Sequence, residues 1–176
     1  MEIDQKKEEA SAWFTSLRDK FCLAFEEIDP GRKFERKLWS HKGSGGGEMS
    51  IMQGNIFEKV GVNISTVSGK FSEDYRSQVK GTEKSANYWA SGISLVAHMA
   101  SPKIPAFHFN TRFLVTEDSW FGGGADMTPT FENKNDTEAF HRKMKESCDP
   151  TDKNYYEEFK KNCDEYFYLP HREEAR

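Results

Sequence analysis

The sequence lacks any apolar run long enough to cross a bilayer. Its first residues, MEIDQKKEEASAW, contain acidic side chains and no uninterrupted apolar segment, so they do not form a signal peptide. Cysteine is scarce, because Cys22, Cys148 and Cys163 lie far apart and form no CxxC pair. An odd number of widely spaced cysteines predicts free thiols in a reducing compartment. We therefore expect a cytoplasmic protein that does not span a membrane.

Positive charge is also in short supply. The formal net charge is -4, and the pI is about 5.8. Binding to nucleic acid needs basic surface, so a nucleic-acid partner is not expected. A small anionic ligand remains compatible, because a few arginines in one cleft overcome a weakly acidic total. The glycine-rich stretch 39–47 does not end in Gly-Lys-Ser/Thr, and no G-x-G-x-x-G opens a helix, so nucleotide-binding loops are missing.

What the sequence does contain is enough apolar area for one folded domain over residues 1–176. Aromatic residues make up 14% of the chain, and charged residues make up 31%. An apolar stripe with helical spacing predicts a first helix that ends at Pro30-Gly31. The stripe consists of Phe14, Leu17, Phe21, Ala24, Phe25 and Ile28.

The rest of the chain reads as strands followed by helices. The stretch 39–47 favours a mobile surface loop, 51–70 favours short strands with tight bends, and 71–89 favours a loop. The strand candidates are 91–99, 106–116 and 120–129. One helix is expected to begin near Asn135 or Asp136, and a second after Asp152 that Pro170 stops. This order predicts an α+β fold with a mainly antiparallel sheet flanked by helices.

The segment 106–115 carries the most informative alternation. Strand side chains alternate between faces, so His108, Asn110 and Arg112 point one way. Thr111 and the phenylalanines between them point the other way. If this strand pairs with 91–99, Ser94 and His98 join the polar surface. A water-facing half of a two-faced sheet and a compact binding site explain this pattern equally well.

Two further features bear on chemistry. His141 and His171 follow downstream, but no HExxH or His-x-His spacing defines a metal site. Histidines that converge in space would suit Mn, Fe, Zn or Cu. Gly122-Gly123-Gly124, followed by Ala125-Asp126, allows either close approach to a ligand or a β-bulge.

Several motifs in this order resemble the N-terminal part of the oxygen-dependent coproporphyrinogen III oxidase family. The resemblance runs from about Trp39 to Arg176. It is carried by GGG at 45–47, FEKVGVN at 57–63, GISLVAH at 92–98, HFNTRF at 108–113, WFGGGADMTP at 120–129, FHR at 140–142 and CDEYFYLPHR at 163–172.

The resemblance implies an oxidoreductase of haem (porphyrin) biosynthesis. Members decarboxylate two propionates of coproporphyrinogen III to vinyl groups, using molecular oxygen and neither flavin nor NAD. They are homodimers built on an antiparallel sheet covered by helices. By position, Ser94, Asn110, Thr111 and Arg112 match substrate-binding residues, and His108 matches the proton donor. A divalent metal, with manganese as the first candidate, is implied at His98, His108, His141 and His171.

Family members continue beyond the residues that end this chain, with a glycine-rich turn, a strand with paired Asp residues and further helices. We therefore expect an incomplete domain that has little activity alone. The alternative is a tetrapyrrole- or metal-binding fragment of the same fold without turnover.

Overall fold

A computed structural model describes residues 2–174 of the chain. It contains one antiparallel sheet of six strands with four helices around it, as the α+β prediction requires. The elements are α1 (Ile3–Ile28), β1 (Glu35–Ser40), β2 (Ser44–Met52), β3 (Phe57–Lys70), α2 (Glu73–Arg76), β4 (Asn87–Met99), β5 (Ala106–Val115), β6 (Ser119–Thr128), α3 (Lys134–Cys148) and α4 (Tyr155–Phe167).

The strands lie in sequence order, β1 to β6, and every neighbouring pair is antiparallel. Consecutive strands can pair in this way because short connections suffice for antiparallel neighbours. The predicted strands at 91–99, 106–116 and 120–129 are confirmed as β4, β5 and β6.

The core lies between α1 and one face of the sheet. Phe14 and Cys22 of α1 are buried against Val60, Val62 and Leu95 of the two central strands. Burial of such apolar area is the main favourable term in folding. The predicted stripe is confirmed for Phe14, with Leu17, Phe21 and Phe25 partly buried beside it. It is wrong at its margin, since Ala24 and Ile28 are exposed.

The sheet face that α1 does not cover is called the distal face here. In β4 the odd-numbered residues from 91 to 97 are buried and face α1, so the even-numbered residues lie on the distal face. In β5 the even-numbered residues lie on the same face, because they pair with even-numbered residues of β4. The strand register carries this assignment to β3 and β6. The distal face includes Gly61, Asn63, Ser94, His98, His108, Asn110, Arg112, Gly122, Gly124 and Asp126.

The stretch 39–47 is not the loop that its glycines favoured. It forms the β1–β2 hairpin, with the His41 N–H donating to the Gly45 carbonyl. A Cβ at Gly45, where φ is +87°, would lie 2.1 Å from the Thr66 carbonyl oxygen, and a Cβ at Gly46 would lie 2.1 Å from the Trp39 carbonyl oxygen. These glycines therefore allow the backbones of neighbouring strands to approach closely, and they do not form a mobile loop.

Residues 57–70 form one strand of 14 residues instead of several short ones. Gly61 and Gly69 do not bend it, because β2 pairs up to Ser68 on one side and β4 pairs to Lys70 on the other. The expected loop 71–89 is shorter than predicted, since it contains α2 and β4 begins at Asn87.

The two C-terminal helices are confirmed, but α3 begins earlier than expected. Its cap is Asn133, whose side chain accepts the Asn135 N–H at 3.1 Å and donates to Asp136 at 2.8 Å. The Asn133 side chain thus caps one of the free N–H groups of the first turn and is held in place by Asp136, so Asn135 and Asp136 lie inside the helix. Within residues 2–174, no helix is both long enough and apolar enough to span a membrane.

Candidate active site

Three polar side chains of β5 lie on the distal face, as the alternation predicted. They are neighbours of β4 residues on one side and of β6 residues on the other. The cross-strand rows are Val96–His108–Asp126, Ser94–Asn110–Gly124 and Gly92–Arg112–Gly122.

A chain of hydrogen-bonding groups runs through these rows. The His108 Nδ1 lies 2.7 Å from an Asp126 carboxylate oxygen, and the other oxygen of Asp126 accepts from the Thr128 hydroxyl at 3.3 Å. On the other side of the ring, the Asn110 amide nitrogen lies 3.4 Å from His108 Nε2. The Arg112 guanidinium donates to the Asn110 amide oxygen at 3.3 Å.

These partners determine the tautomer of His108. A carboxylate only accepts, so Nδ1 carries a proton toward Asp126. The Asn110 amide nitrogen only donates, so Nε2 of the neutral ring presents its lone pair. Asp126 accepts the Nδ1 proton and so holds the ring with Nε2 turned toward Asn110. His108 is therefore arranged to exchange a proton at Nε2.

Asp126 is a candidate site residue that the sequence pattern does not reveal. Its side chain is 11% exposed, against 28% for His108. The sequence pattern noticed only that it follows three glycines. The register of β6 against β5 would have found it, because Asp126 lies directly opposite His108.

Helix α4 forms a wall beside this site. The Phe167 ring meets the His108 ring edge-on, with centroids 6.1 Å apart. A Cβ at Gly124 would lie 3.4 Å from the Cys163 sulfur, so the bare backbone of β6 lets α4 approach closely. The β5–β6 register is continuous over these residues, so the three glycines do not form a β-bulge.

Arg112 is the exposed end of the polar chain. No carboxylate among residues 2–174 forms a salt bridge with it, in contrast to Arg18 or Arg36. Its cross-strand neighbours Gly92 and Gly122 have no side chains to shield it. The guanidinium is thus free to take a carboxylate of a ligand in a bidentate contact.

Two of the predicted substrate-binding residues, Ser94 and Thr111, lie on opposite faces of the sheet. Ser94 lies on the distal face beside Asn110, as expected. The side chain of Thr111 lies on the α1 face, opposite Ile93, which is 3% exposed. Strand alternation forces this placement, so its side chain cannot reach a ligand on the distal face.

The four histidines of the predicted metal site occupy different surroundings. His98 lies near the end of β4 opposite Lys59, the His141 Nδ1 lies 3.2 Å from the Tyr156 hydroxyl, and His171 is exposed in the turn after α4. Across residues 2–174, no three His, Cys, Asp or Glu side chains come close enough to hold one metal ion. This arrangement does not fit a four-histidine centre.

Comparisons with known proteins give the family. A profile described as Coproporphyrinogen III oxidase matches residues 9–176. Oxygen-dependent coproporphyrinogen-III oxidases from Rickettsia africae and Rickettsia akari are 53% and 54% identical over 181 residues. The protein of the same name from Rickettsia bellii is 52% identical over 182 residues.

These alignments cover 98% of this chain and 65% of each relative. The chain therefore spans slightly less than two thirds of the length of the curated relatives that it matches. Together with the order of motifs from residue 39 onward, the match shows that the chain belongs to the coproporphyrinogen III oxidase family.

Proposed function

We propose that the chain carries out the oxygen-dependent oxidative decarboxylation of coproporphyrinogen III to protoporphyrinogen IX in haem biosynthesis. The observation that carries the proposal is the linked group of Asp126, His108, Asn110 and Arg112 on one sheet face. It combines a proton-exchanging imidazole with a guanidinium that has no carboxylate partner among residues 2–174, and these are the groups needed to bind a propionate and handle protons beside it.

The chemistry balances with oxygen as the oxidant. Each propionate carboxylate loses carbon dioxide, one proton and two electrons to become a vinyl group, and oxygen takes up two electrons, that proton and one proton from solvent to become hydrogen peroxide. Arg112 would hold a propionate, Asn110 and Ser94 would orient the macrocycle, and His108 would move a proton at Nε2. Asp126 would keep the ring in the required orientation. The protein then mainly positions its substrate, while substrate and oxygen supply the redox chemistry.

The proposal extends to the setting of the protein. Oxygen is the co-substrate, and flavin and NAD are not used. We infer a cytoplasmic homodimer by likeness to the family, with coproporphyrinogen III as its small-molecule partner. The three cysteines are free thiols, which agrees with a reducing compartment.

A second function is favoured by the openness of the site. His108 is 28% exposed on its side chain, and Arg112 is exposed to solvent. Water that reaches the reacting groups weakens their electrostatic interactions, which favours binding over turnover. The second candidate is therefore a tetrapyrrole-binding protein that does not turn the substrate over.

One assay separates the two functions. The purified chain is incubated aerobically with coproporphyrinogen III, and protoporphyrin fluorescence is followed after oxidation of the product. Product would establish the first function, and His108→Ala should then lower its rate by about 100-fold or more, since general acid–base groups contribute on that order. Asp126→Asn should lower it by a smaller factor because the ring remains but loses its carboxylate partner.

Arg112→Ala should weaken substrate binding, whereas Arg142→Ala, an exposed arginine of α3, is the matched control and should have no effect. Binding that depends on Arg112, without product, would establish the second function. If the chain neither binds coproporphyrinogen III nor forms product, both proposals are contradicted.

A further inference from the structure

A third polar side chain continues the row of Ser94 and Asn110 across the sheet. Asn63 of β3 lies opposite Ser94, which in turn lies opposite Asn110 of β5. All three are half-buried on the distal face. Neighbouring strands are roughly 4.8 Å apart, so Asn63 lies about 10 Å from Asn110 on the side away from β6.

The orientation of the Asn63 amide is set by the neighbouring strand. Its oxygen accepts the backbone N–H of Ser50 at 3.3 Å. A backbone N–H can only donate, so the amide oxygen must face Ser50 and the amide nitrogen must face the other way. The nitrogen lies over Gly61, where a Cβ would be 3.5 Å from it.

The amide nitrogen of Asn63 has hydrogen-bond donors that no protein group accepts among residues 2–174. It carries two N–H groups, and neither meets an acceptor among the side chains and backbone of residues 2–174. A half-buried donor without an acceptor loses part of its hydration and gains nothing in return. Asparagine is also a poor strand former, so local preference does not explain it at this position.

We propose that Asn63 is a further binding residue for the tetrapyrrole, and that its amide N–H groups donate to a propionate carboxylate of coproporphyrinogen III. This inference rests on the proposed function. The substrate has four propionates, and Arg112 accounts for one of them. Asn63 lies roughly 12 Å from Arg112, two strands across and two residues along, which gives a second anchor for the same macrocycle. Donors at two separated points of one sheet face favour a ligand whose carboxylates have the matching spacing.

The test is the Asn63→Asp variant, titrated with coproporphyrinogen III by calorimetry without oxygen, so that substrate is not consumed. The carboxylate still accepts from the Ser50 N–H, but it donates nothing and repels a propionate. We expect binding about tenfold weaker or worse, the size of a lost hydrogen bond to a charged group. Asn87→Asp is the control, because Asn87 is exposed at the start of β4 and the variant has the same net charge.

Asn63→Thr guards against a folding defect, since threonine suits a strand and also removes the amide donors. It should weaken binding in the same direction, and its thermal melting shows whether the fold survives loss of the acceptor for the Ser50 N–H. If wild type binds and Arg112→Ala loses binding while both Asn63 variants bind normally, the role of Asn63 is overturned and the proposed function stands. If wild type does not bind coproporphyrinogen III at all, the proposed function fails and this inference fails with it.

Discussion

Two buried serines of the same sheet face have opposite surroundings. The Ser50 hydroxyl has no hydrogen-bond partner among residues 2–174, although the residue is 0% exposed. The Ser91 hydroxyl lies 2.8 Å from the Thr66 hydroxyl and 3.4 Å from the Ser11 hydroxyl. A buried hydroxyl without a partner is destabilising, whereas a paired one contributes modestly to stability.

We therefore predict opposite effects of the same substitution. Ser50→Ala should raise the free energy of unfolding by about 0.5–1 kcal/mol, because it removes an unpaired polar atom and leaves the backbone bond to Asn63 intact. Ser91→Ala should lower it by about 1 kcal/mol, because the Thr66 and Ser11 hydroxyls lose their partner. Urea unfolding measures both, and equal losses in the two variants would contradict the assignment.

At the scale of elements, the docking of α4 on the sheet depends on a glycine. Cys163 and Phe167 of α4 pack over Gly124, and Phe167 reaches the His108 ring. Interiors are close-packed, so added volume at such a contact pushes the elements apart. The position of α4 and the surroundings of the candidate proton donor are thus linked through one small residue.

The substitution Gly124→Val tests this link. The Cβ itself fits at ordinary contact distance, 3.4 Å from the Cys163 sulfur and 3.8 Å from the Phe167 ring, so we expect the two further methyl groups to push against these side chains. We expect a loss of about 1–3 kcal/mol in stability and faster amide hydrogen exchange throughout α4. Gly122→Val is the matched control on the same strand and face, because a Cβ there meets nothing within 4 Å. Equal exchange of α4 in the two variants would refute the link.

At the scale of the whole molecule, one buried carboxylate ties the first helix to the sheet. Asp29, just after α1, is 2% exposed and accepts the N–H groups of Ile56 and Phe57 at 2.8 and 3.2 Å. Gly54 makes room for it, since a Cβ there would lie 2.0 Å from the carboxylate. Burial raises the pKa of Asp29, but these N–H donors outweigh it and hold the pKa below its ordinary value of 3.8.

The sign of the resulting pH dependence follows from the lowered pKa. A carboxyl whose pKa is lower in the folded state stabilises the fold above its ordinary pKa, and that contribution disappears as the pH falls through the folded value. We predict that stability falls on acidification below about pH 4. Asp29→Asn should be less stable at neutral pH and should take up about one proton fewer on acid unfolding. Urea unfolding between pH 6 and 2 checks this, and an unchanged proton uptake would contradict it.

The sequence alone was sufficient for features with a local cause. Alternation in 106–115 placed His108, Asn110 and Arg112 on one face, because successive strand residues must point to opposite sides. The same rule placed Thr111 with the phenylalanines, and the structure keeps it there. Pro30-Gly31 ended the first helix because proline lacks the N–H and Gly31 adopts a φ of +83°. The order of motifs from residue 39 onward was enough to indicate the family.

Tertiary structure decided what depends on partners distant in sequence. The glycines at 45–47 belong to a strand, where they are needed because side chains would collide with the carbonyls of Trp39, Ile64 and Thr66 on the neighbouring strands. Asp126 became the partner of His108 only through the β5–β6 register, and Asn63 joined Ser94 only through β3–β4. The four histidines, all visible in sequence, were not brought to one point. Local alternation determines which way a side chain points, but the pairing of strands determines what it meets.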